Sequence, residues 1–134
     1  MKKKILVTGG TGYIGSHTSV ELIYEGFDVV IVDNLYNSEA EVADRIAAIT
    51  GTKPLLEVFD LCDKTLVDEF FNRHNDISAI IHFAAYKAVG ESVNKPTEYY
   101  RNNLVSLINL LDAMKNHGKG NIVFSSSCTV YGQP

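Results

Sequence analysis

One stretch constrains the fold more than any other. Residues Ile5 to Gly15 read Ile-Leu-Val-Thr-Gly-Gly-Thr-Gly-Tyr-Ile-Gly. Ile5, Leu6 and Val7 have the unbroken apolar character of a parallel strand buried on both faces. Gly9, Gly12 and Gly15 follow at even spacing, with Thr8 before them and a helix-compatible run starting near Tyr13. Glycine is needed where a side chain would hold the backbone off a pyrophosphate or block a close strand-to-helix crossing. A helix beginning beyond Gly12 offers free N–H groups and the positive end of its dipole to phosphate. Glycine-rich turns are common, so the context carries the inference. A second apolar run, Val29-Val30-Ile31-Val32, ends on Asp33, at the separation where a carboxylate meets the adenosine ribose hydroxyls of NAD. The alternative is a tight strand-to-helix turn with Asp33 as a solvated loop residue.

Composition limits what this motif can belong to. The chain has 134 residues, 46% of them hydrophobic and 21% charged. These are ordinary values for one soluble α/β domain, and the length is too short for two. A net charge of −4 argues against a nucleic-acid surface built on bulk positive potential. Lys2, Lys3 and Lys4 have the look of a secretory start, but the apolar run before Thr8 is too short for a signal core. No stretch approaches a membrane span. Cys62 and Cys128 fit no metal or redox spacing and read as thiols of a cytoplasmic protein.

Apolar runs and helical patterns alternate along the chain, which predicts a doubly wound parallel sheet of the Rossmann type, class α/β. After the first strand, a helix from about Tyr13 to Glu25 carries Ile14, Thr18 and Leu22 on one face and stops at Gly26. Ser38-Glu39-Ala40-Glu41 has the form of a capping box, opening a helix through Ala43, Ile46 and Ala47 to Gly51. A third strand, about Leu55 to Phe59, ends on Asp60. Asp63 is placed to cap a helix whose Leu66, Val67, Phe70 and Phe71 form an apolar stripe. The fourth strand, Ala79 to Phe83, leads into a long loop with Lys87, Gly90 and Glu91. Pro96 suits the first position of a helix running to about His117. Ile122 to Phe124 make the fifth strand. In the long helix Leu104, Leu107, Ile108, Leu110, Leu111 and Met114 cover more than one face. Either it is a well-covered core helix or it meets a further neighbour, in the chain or on a second subunit. A full two-half dinucleotide fold has a sixth strand, so the expectation is one NAD-binding domain over residues 1–134, truncated after the fifth strand.

In an open parallel sheet, ligands bind beyond the carboxyl ends of the strands. Every polar cluster here falls at such an end. The glycine turn follows strand one, and Asp33, Asn34, Asn37 and Ser38 follow strand two. Asp60 follows strand three, Ala84-Ala85-Tyr86-Lys87 strand four, and Ser125-Ser126-Ser127 strand five. Singly, each has a dull explanation as a cap, a turn former or a loop. Ser127 lacks an evident histidine base among His17, His74, His82 and His117, so its hydroxyl suits hydrogen bonding to a substrate better than nucleophilic attack. His82, inside an apolar strand, reads as a satisfied core histidine.

These residues also carry a resemblance. Thr8-Gly9-Gly10-Thr11-Gly12-Tyr13-Ile14-Gly15 resembles the opening of the extended short-chain dehydrogenase/reductase group. His82-Phe83-Ala84-Ala85, Lys87-Ala88-Val89-Gly90-Glu91-Ser92-Val93 and Phe124-Ser125-Ser126-Ser127-Cys128-Thr129-Val130-Tyr131-Gly132 are similar to its UDP-glucose 4-epimerase branch. Val32-Asp33-Asn34-Leu35, Lys95-Pro96, Tyr99-Tyr100 and Asn102-Asn103 belong to the same pattern, so the likeness spans nearly the whole chain. It implies a tightly held NAD that takes hydride from C4 of a UDP-hexose and returns it to the opposite face of the 4-keto sugar, with no net redox change. By this resemblance Gly9, Gly12, Tyr13, Ile14 and Gly15 lie at the pyrophosphate. Asp33 takes the adenosine ribose, with Asn34, Leu35, Tyr36, Asn37 and Ser38 beside it. Asp60 and Leu61 border the adenine, Phe83, Ala84, Ala85 and Lys87 the nicotinamide side, and Asn102 reaches in from the long helix. Lys87 and Ser127 face the UDP-sugar substrate, Ser127 at the 4-oxygen, and no metal is implied. Cys128 stands where the family commonly has alanine. The family's proton-transferring Tyr-x-x-x-Lys pair and its substrate domain are expected beyond Pro134, so residues 1–134 alone are expected to be inactive. Other sugar-nucleotide enzymes of the group, such as 4,6-dehydratases or uronate epimerases, and a non-catalytic NAD-sensing module are the rival readings. The resemblance further implies a cytoplasmic homodimer paired through the helix at residues 96–117, with neither nucleic acid nor membrane as partner.

Overall fold

A computed structural model describes residues 2–36, 38–84 and 93–125. Strand β1 (Lys4–Thr8) leads into helix α1 (Tyr13–Tyr24), then β2 (Asp28–Asp33), α2 (Val42–Thr50), β3 (Leu55–Val58), α3 (Lys64–Arg73) and β4 (Ile77–His82). A helical segment follows as α4 (Pro96–Tyr100), a π-helical turn (Arg101–Val105) and α5 (Ser106–Asn116), and β5 (Ile122–Phe124) comes last. The strands form one parallel sheet in the order β3-β2-β1-β4-β5. That order reverses between β1 and β4, the switch point at which a crevice opens in doubly wound sheets.

Side-chain alternation along the strands divides the core in two. Leu6, Val30, Val32 and Ile80 face α3 and α5, where Val67, Phe70, Phe71, Leu110, Ala113 and Met114 complete a buried cluster. Ile5, Val7, Val29 and Ile31 face the other way and pack with Ile46 of α2 and with Val20, Leu22 and Ile23 of α1. The central strands are therefore apolar on both faces, as their unbroken sequence runs require. Asp63 caps α3 through its side chain, accepting the Leu66 N–H at 3.2 Å. Within the expected stripe Val67, Phe70 and Phe71 are buried, but Leu66 lies on the rim at 36% exposure.

Several local expectations are corrected. Of the expected face of α1, Leu22 packs on the sheet but Ile14 is exposed, and in the helix's first turns it is Gly15 and Ser19 that are buried against the sheet. Small residues let α1 lie close to the sheet, and its first turn instead projects Tyr13 and Ile14 into the crevice. The capping box does not form. Helix α2 begins at Val42 with no side-chain cap, because the Ser38 hydroxyl is engaged by Thr11 Oγ1 at 2.5 Å. Strand β3 stops at Val58 and β4 starts two residues earlier than its apolar run suggests, at Ile77, since ladder pairing with Lys4 recruits Ile77 and Ser78. The long helix is not uniform. Pro96 opens it as expected, but Arg101–Val105 adopt a π turn, and the Cys62 thiol meets the Arg101 and Asn102 carbonyls there at 3.6 and 3.7 Å.

Two stability tests follow. A Cβ at Gly15 would overlap the Gly9 carbonyl oxygen and crowd Gly10 Cα at 2.9 Å, whereas at Gly12 it would meet only Gly9 O at 3.3 Å. Gly15→Ala is therefore expected to lower the melting temperature well below that of Gly12→Ala. Phe71→Ala, which empties a fully buried site, is expected to cost about 3–5 kcal/mol in denaturant unfolding, against roughly 1 kcal/mol for loss of the cap in Asp63→Ala.

Candidate functional site

The glycine turn sits at the carboxyl ends of the central strands because it cannot sit anywhere looser. Gly9 has φ +69°, and its N–H donates to the Val32 carbonyl at 2.8 Å, tying the turn to the end of β2. A Cβ on Gly9 would lie 2.8 Å from the Ala84 nitrogen, and one on Gly10 would lie 2.6 Å from Ile31 Cγ2. Gly12 is the N-cap of α1 and supplies no side chain to its first turn. The N–H groups at that end face an open crevice of about 360 Å³. Nothing larger than glycine leaves the backbone this accessible.

Asp33 closes one side. It is 9% exposed, and both carboxylate oxygens are already anchored. Oδ2 accepts the Thr11 N–H at 3.2 Å and Oδ1 accepts the Leu35 N–H at 2.8 Å. A carboxylate oxygen has a second lone pair, so these bonds fix the group without exhausting it as an acceptor. Leu35 takes a left-handed backbone, φ +62°, to make this turn, and Asn34 repeats the device by accepting the Tyr36 N–H at 3.0 Å. Thr11 thus grips Asp33 through its backbone and Ser38 through its hydroxyl. Sequence reasoning passed over Thr11 because nothing in a glycine motif marks the residue between glycines.

The crevice wall contains Gly9, Gly12, Tyr13, Ile14, Gly15, Asp33, Asn34, Tyr36, Ser38, Asp60, Leu61, Phe83, Ala84 and Asn102 from the candidate set. Leu35 is placed beside it, acting through its backbone. Asn37, Ala85, Lys87 and Ser127 lie outside the described residues. Val32, Phe59 and Ser106 also line the crevice. Phe59 directly precedes Asp60 at a strand end, a signal that was available. Ser106 lies four residues after Asn102 across the π turn, and no sequence pattern announced that turn.

Around Leu61 the geometry is held from α5, where buried Asn109 donates its amide to the Leu61 carbonyl at 2.8 Å. Burial, reinforced by the nearby Asp60 carboxylate, pushes the Cys62 thiol up to about 11, so it stays protonated and unreactive at neutral pH. At the end of β4, the Phe83 N–H donates to the Thr8 carbonyl at 3.0 Å and the Ala84 N–H to Thr8 Oγ1 at 3.2 Å. His82 is 2% exposed, with Nδ1 2.6 Å from the same hydroxyl. The other histidines stand elsewhere: His17 against Tyr13, His74 against Glu57 and Phe70, and His117 against Phe71.

What the described residues of the crevice supply is a binding surface. It offers backbone N–H groups at a helix end, which suit phosphate, and an anchored carboxylate, which suits vicinal hydroxyls. Among the described residues it contains no histidine and no nucleophile with a base beside it. Among those same residues no helix is long and apolar enough to cross a membrane.

Comparison with known proteins agrees with this geometry. Over residues 5–134 the chain matches the NAD dependent epimerase/dehydratase family. It is 55% identical to UDP-glucose 4-epimerase of Schizosaccharomyces pombe over 97% of its own length and 36% of that protein's. For the Bacillus subtilis UDP-glucose 4-epimerase the identity is 54%, covering 97% of this chain and 38% of the relative. Among solved structures, UDP-glucose 4-epimerase from Bifidobacterium longum in complex with NAD+ and UDP superposes with a TM-score of 0.92 at 49% identity, over 98% of this chain and 39% of that one. The enzyme from Stenotrophomonas maltophila, with bound NAD and formylated UDP-arabinopyranose, also gives 0.92, at 48% identity and the same coverage. The chain thus spans well under half the length of the relatives it matches. The parallel sheet, the glycine turn at its switch point and the match over nearly all of its residues together make this chain a member of the NAD dependent epimerase/dehydratase family.

Proposed function

We propose that this chain is the NAD-binding part of a UDP-hexose 4-epimerase, which interconverts UDP-glucose and UDP-galactose through a 4-keto sugar in galactose metabolism. The observation that carries the reading is the pairing of the glycine turn with Asp33 through Thr11, a backbone cradle and a carboxylate held at fixed separation. The residues fit the cofactor. A Cβ at Gly9 or Gly15 would collide with the backbone of Ala84 or Gly9, so only glycine lets the turn pack this tightly, and the uncapped start of α1 that it presents suits a pyrophosphate.

When bound, NAD supplies reversible hydride acceptance at C4. The chain's own residues bind and orient. Asp33 would hold the adenosine ribose, with Asn34, Tyr36 and Ser38 beside it. Asp60 and Leu61 would border the adenine, while Phe83, Ala84, Ala85 and Lys87 would line the other half and Asn102 would reach in from the π turn. Ser127 is assigned to the sugar's 4-oxygen as a hydrogen-bonding partner. The proton itself is assigned, by the family resemblance, to a tyrosine and lysine beyond Pro134. A rate loss of ~10² to 10⁴ is typical when a positioned base is removed. This reading makes the protein cytoplasmic, with a UDP-sugar as its small-molecule partner.

The reading extends to assembly. Tyr100, Leu104, Ile108 and Leu111 are 68%, 51%, 53% and 45% exposed, a helically spaced apolar stripe on the side away from Leu110, Ala113 and Met114. Such a stripe suits helix pairing across a two-fold axis, and we assign the homodimer contact to it.

Three measurements test these assignments on the full-length protein. In binding titrations the wild type is expected to prefer NAD over NADP, because Asp33 repels a 2′-phosphate, and Asp33→Asn to weaken NAD and narrow that preference. Equal affinity for the two cofactors would remove Asp33 from its role. Ser127→Ala is expected to lower turnover of UDP-galactose more than it weakens NAD; equal losses would move Ser127 away from the sugar. In sedimentation across a concentration series, Ile108→Lys is expected to shift a dimer toward monomer, since burying one such side chain contributes about 1.5–3 kcal/mol.

A further inference from the structure

The crevice has a buried support that none of the roles above uses. Thr8 ends β1 and is fully buried, and its hydroxyl makes two bonds. Oγ1 accepts the Ala84 N–H at 3.2 Å, and it lies 2.6 Å from His82 Nδ1. The Thr8 hydroxyl keeps a second lone pair and its own hydrogen after accepting the Ala84 N–H, so it can pair with His82 Nδ1 in either direction.

The position of this relay gives it a consequence. The Phe83 N–H donates to the Thr8 carbonyl and the next N–H, of Ala84, to the Thr8 hydroxyl. Two successive N–H groups bound to one residue cannot both belong to an extended strand, whose N–H groups alternate sides. The chain must turn here, and Thr8 sets where. The same turn brings the Ala84 backbone to the spot that only a glycine at position 9 can tolerate, 2.8 Å from a Cβ there. In the sheet order β2-β1-β4, Asp33 and Ala84 lie on opposite sides of the glycine turn.

We propose that His82 and Thr8 are positioning residues for the half of the dinucleotide remote from Asp33: His82 orients the Thr8 hydroxyl, and that hydroxyl turns the end of β4 into the crevice wall. Neither residue touches the ligand. The proposal rests on the NAD reading above and deepens it. Removing the hydroxyl takes away the bonds that the Ala84 N–H and His82 Nδ1 make at Thr8, so the wall shifts. A buried polar group left without its partner typically changes an equilibrium by about tenfold or more.

The test is calorimetric titration of the full-length protein with NAD and, separately, with AMP, which spans only the half at Asp33. Thr8→Val and His82→Phe are each expected to weaken NAD by about tenfold or more while AMP affinity stays at the wild-type level. Thr8→Ser keeps the hydroxyl, and His82→Asn offers an amide near the place of Nδ1 that can donate or accept; both are expected to recover most of the lost NAD affinity. Should Thr8→Val fail to fold, His82→Phe and His82→Asn carry the comparison. The proposal is overturned if the apolar variants bind NAD as the wild type does, if NAD and AMP weaken in equal proportion, or if the conservative variants recover nothing. A wild type that binds neither NAD nor AMP would sink the cofactor reading itself, a result distinct from all of these.

Discussion

Everything in this chain is arranged around a strand-to-helix crossing with no room for a methyl group. The Gly15 Cα approaches the Gly9 carbonyl so closely that a Cβ there would overlap it, and Gly9 is pressed against the Ala84 backbone in the same way. Because α1 can come this close, its first turn opens directly over the end of β1, and the N–H groups there are presented rather than covered. Because Gly9 bonds the Val32 carbonyl, the next residues of β2 are brought to the same rim, and Asp33 arrives within reach of Thr11. The crevice is thus a consequence of packing. It exists where three strand ends are drawn together by glycines, and its chemistry follows from what those ends carry.

The supports come from both layers of the sheet. On one side, Asn109 of α5 fixes the Leu61 carbonyl, and the π turn carries Asn102 and Ser106 to the wall. On the other, α1 and the small cluster about Ile46 hold β1 and β2 in register. Between them, Thr8 and His82 join the two strands that diverge at the switch point. Buried polar groups are costly unless paired, and among the described residues no buried side-chain nitrogen or oxygen lacks a partner. Here some of the pairing also does positional work, since Thr8 and Asn109 bond the backbone of Ala84 and Leu61, which line the crevice.

Much of this was legible in the residues. Two strand ends could be read because apolar runs stop abruptly at Thr8 and Asp33, whereas the fourth, read to Phe83, stops at His82; the Asp63 cap could be read because its spacing to an apolar stripe is strict. Positions decided by tertiary contacts could not. Ser38 has the local form of a helix cap, yet Thr11, distant in sequence, claims its hydroxyl. Ile14 has the periodicity of a core residue, but Gly15 and Ser19 take the sheet-facing side because close approach there outweighs apolar burial. The π turn has no sequence signature at all, since it reflects how Arg101 and Asn102 settle against Cys62. The family resemblance supplied roles for residues such as Leu35 that pattern alone would have left as loop, and the structure gives that one a backbone part beside Asp33.

We propose that this crevice holds a dinucleotide that, in the full-length protein, takes hydride from a sugar carbon and gives it back to the same carbon. The most direct measurement is to supply the full-length protein, in ordinary water, with UDP-galactose carrying deuterium at C4, and to follow the label by nuclear magnetic resonance in the UDP-glucose that forms. Transfer within one closed site predicts that the deuterium stays at C4 of the product. Exchange of the label with solvent, or no conversion at all, would contradict it.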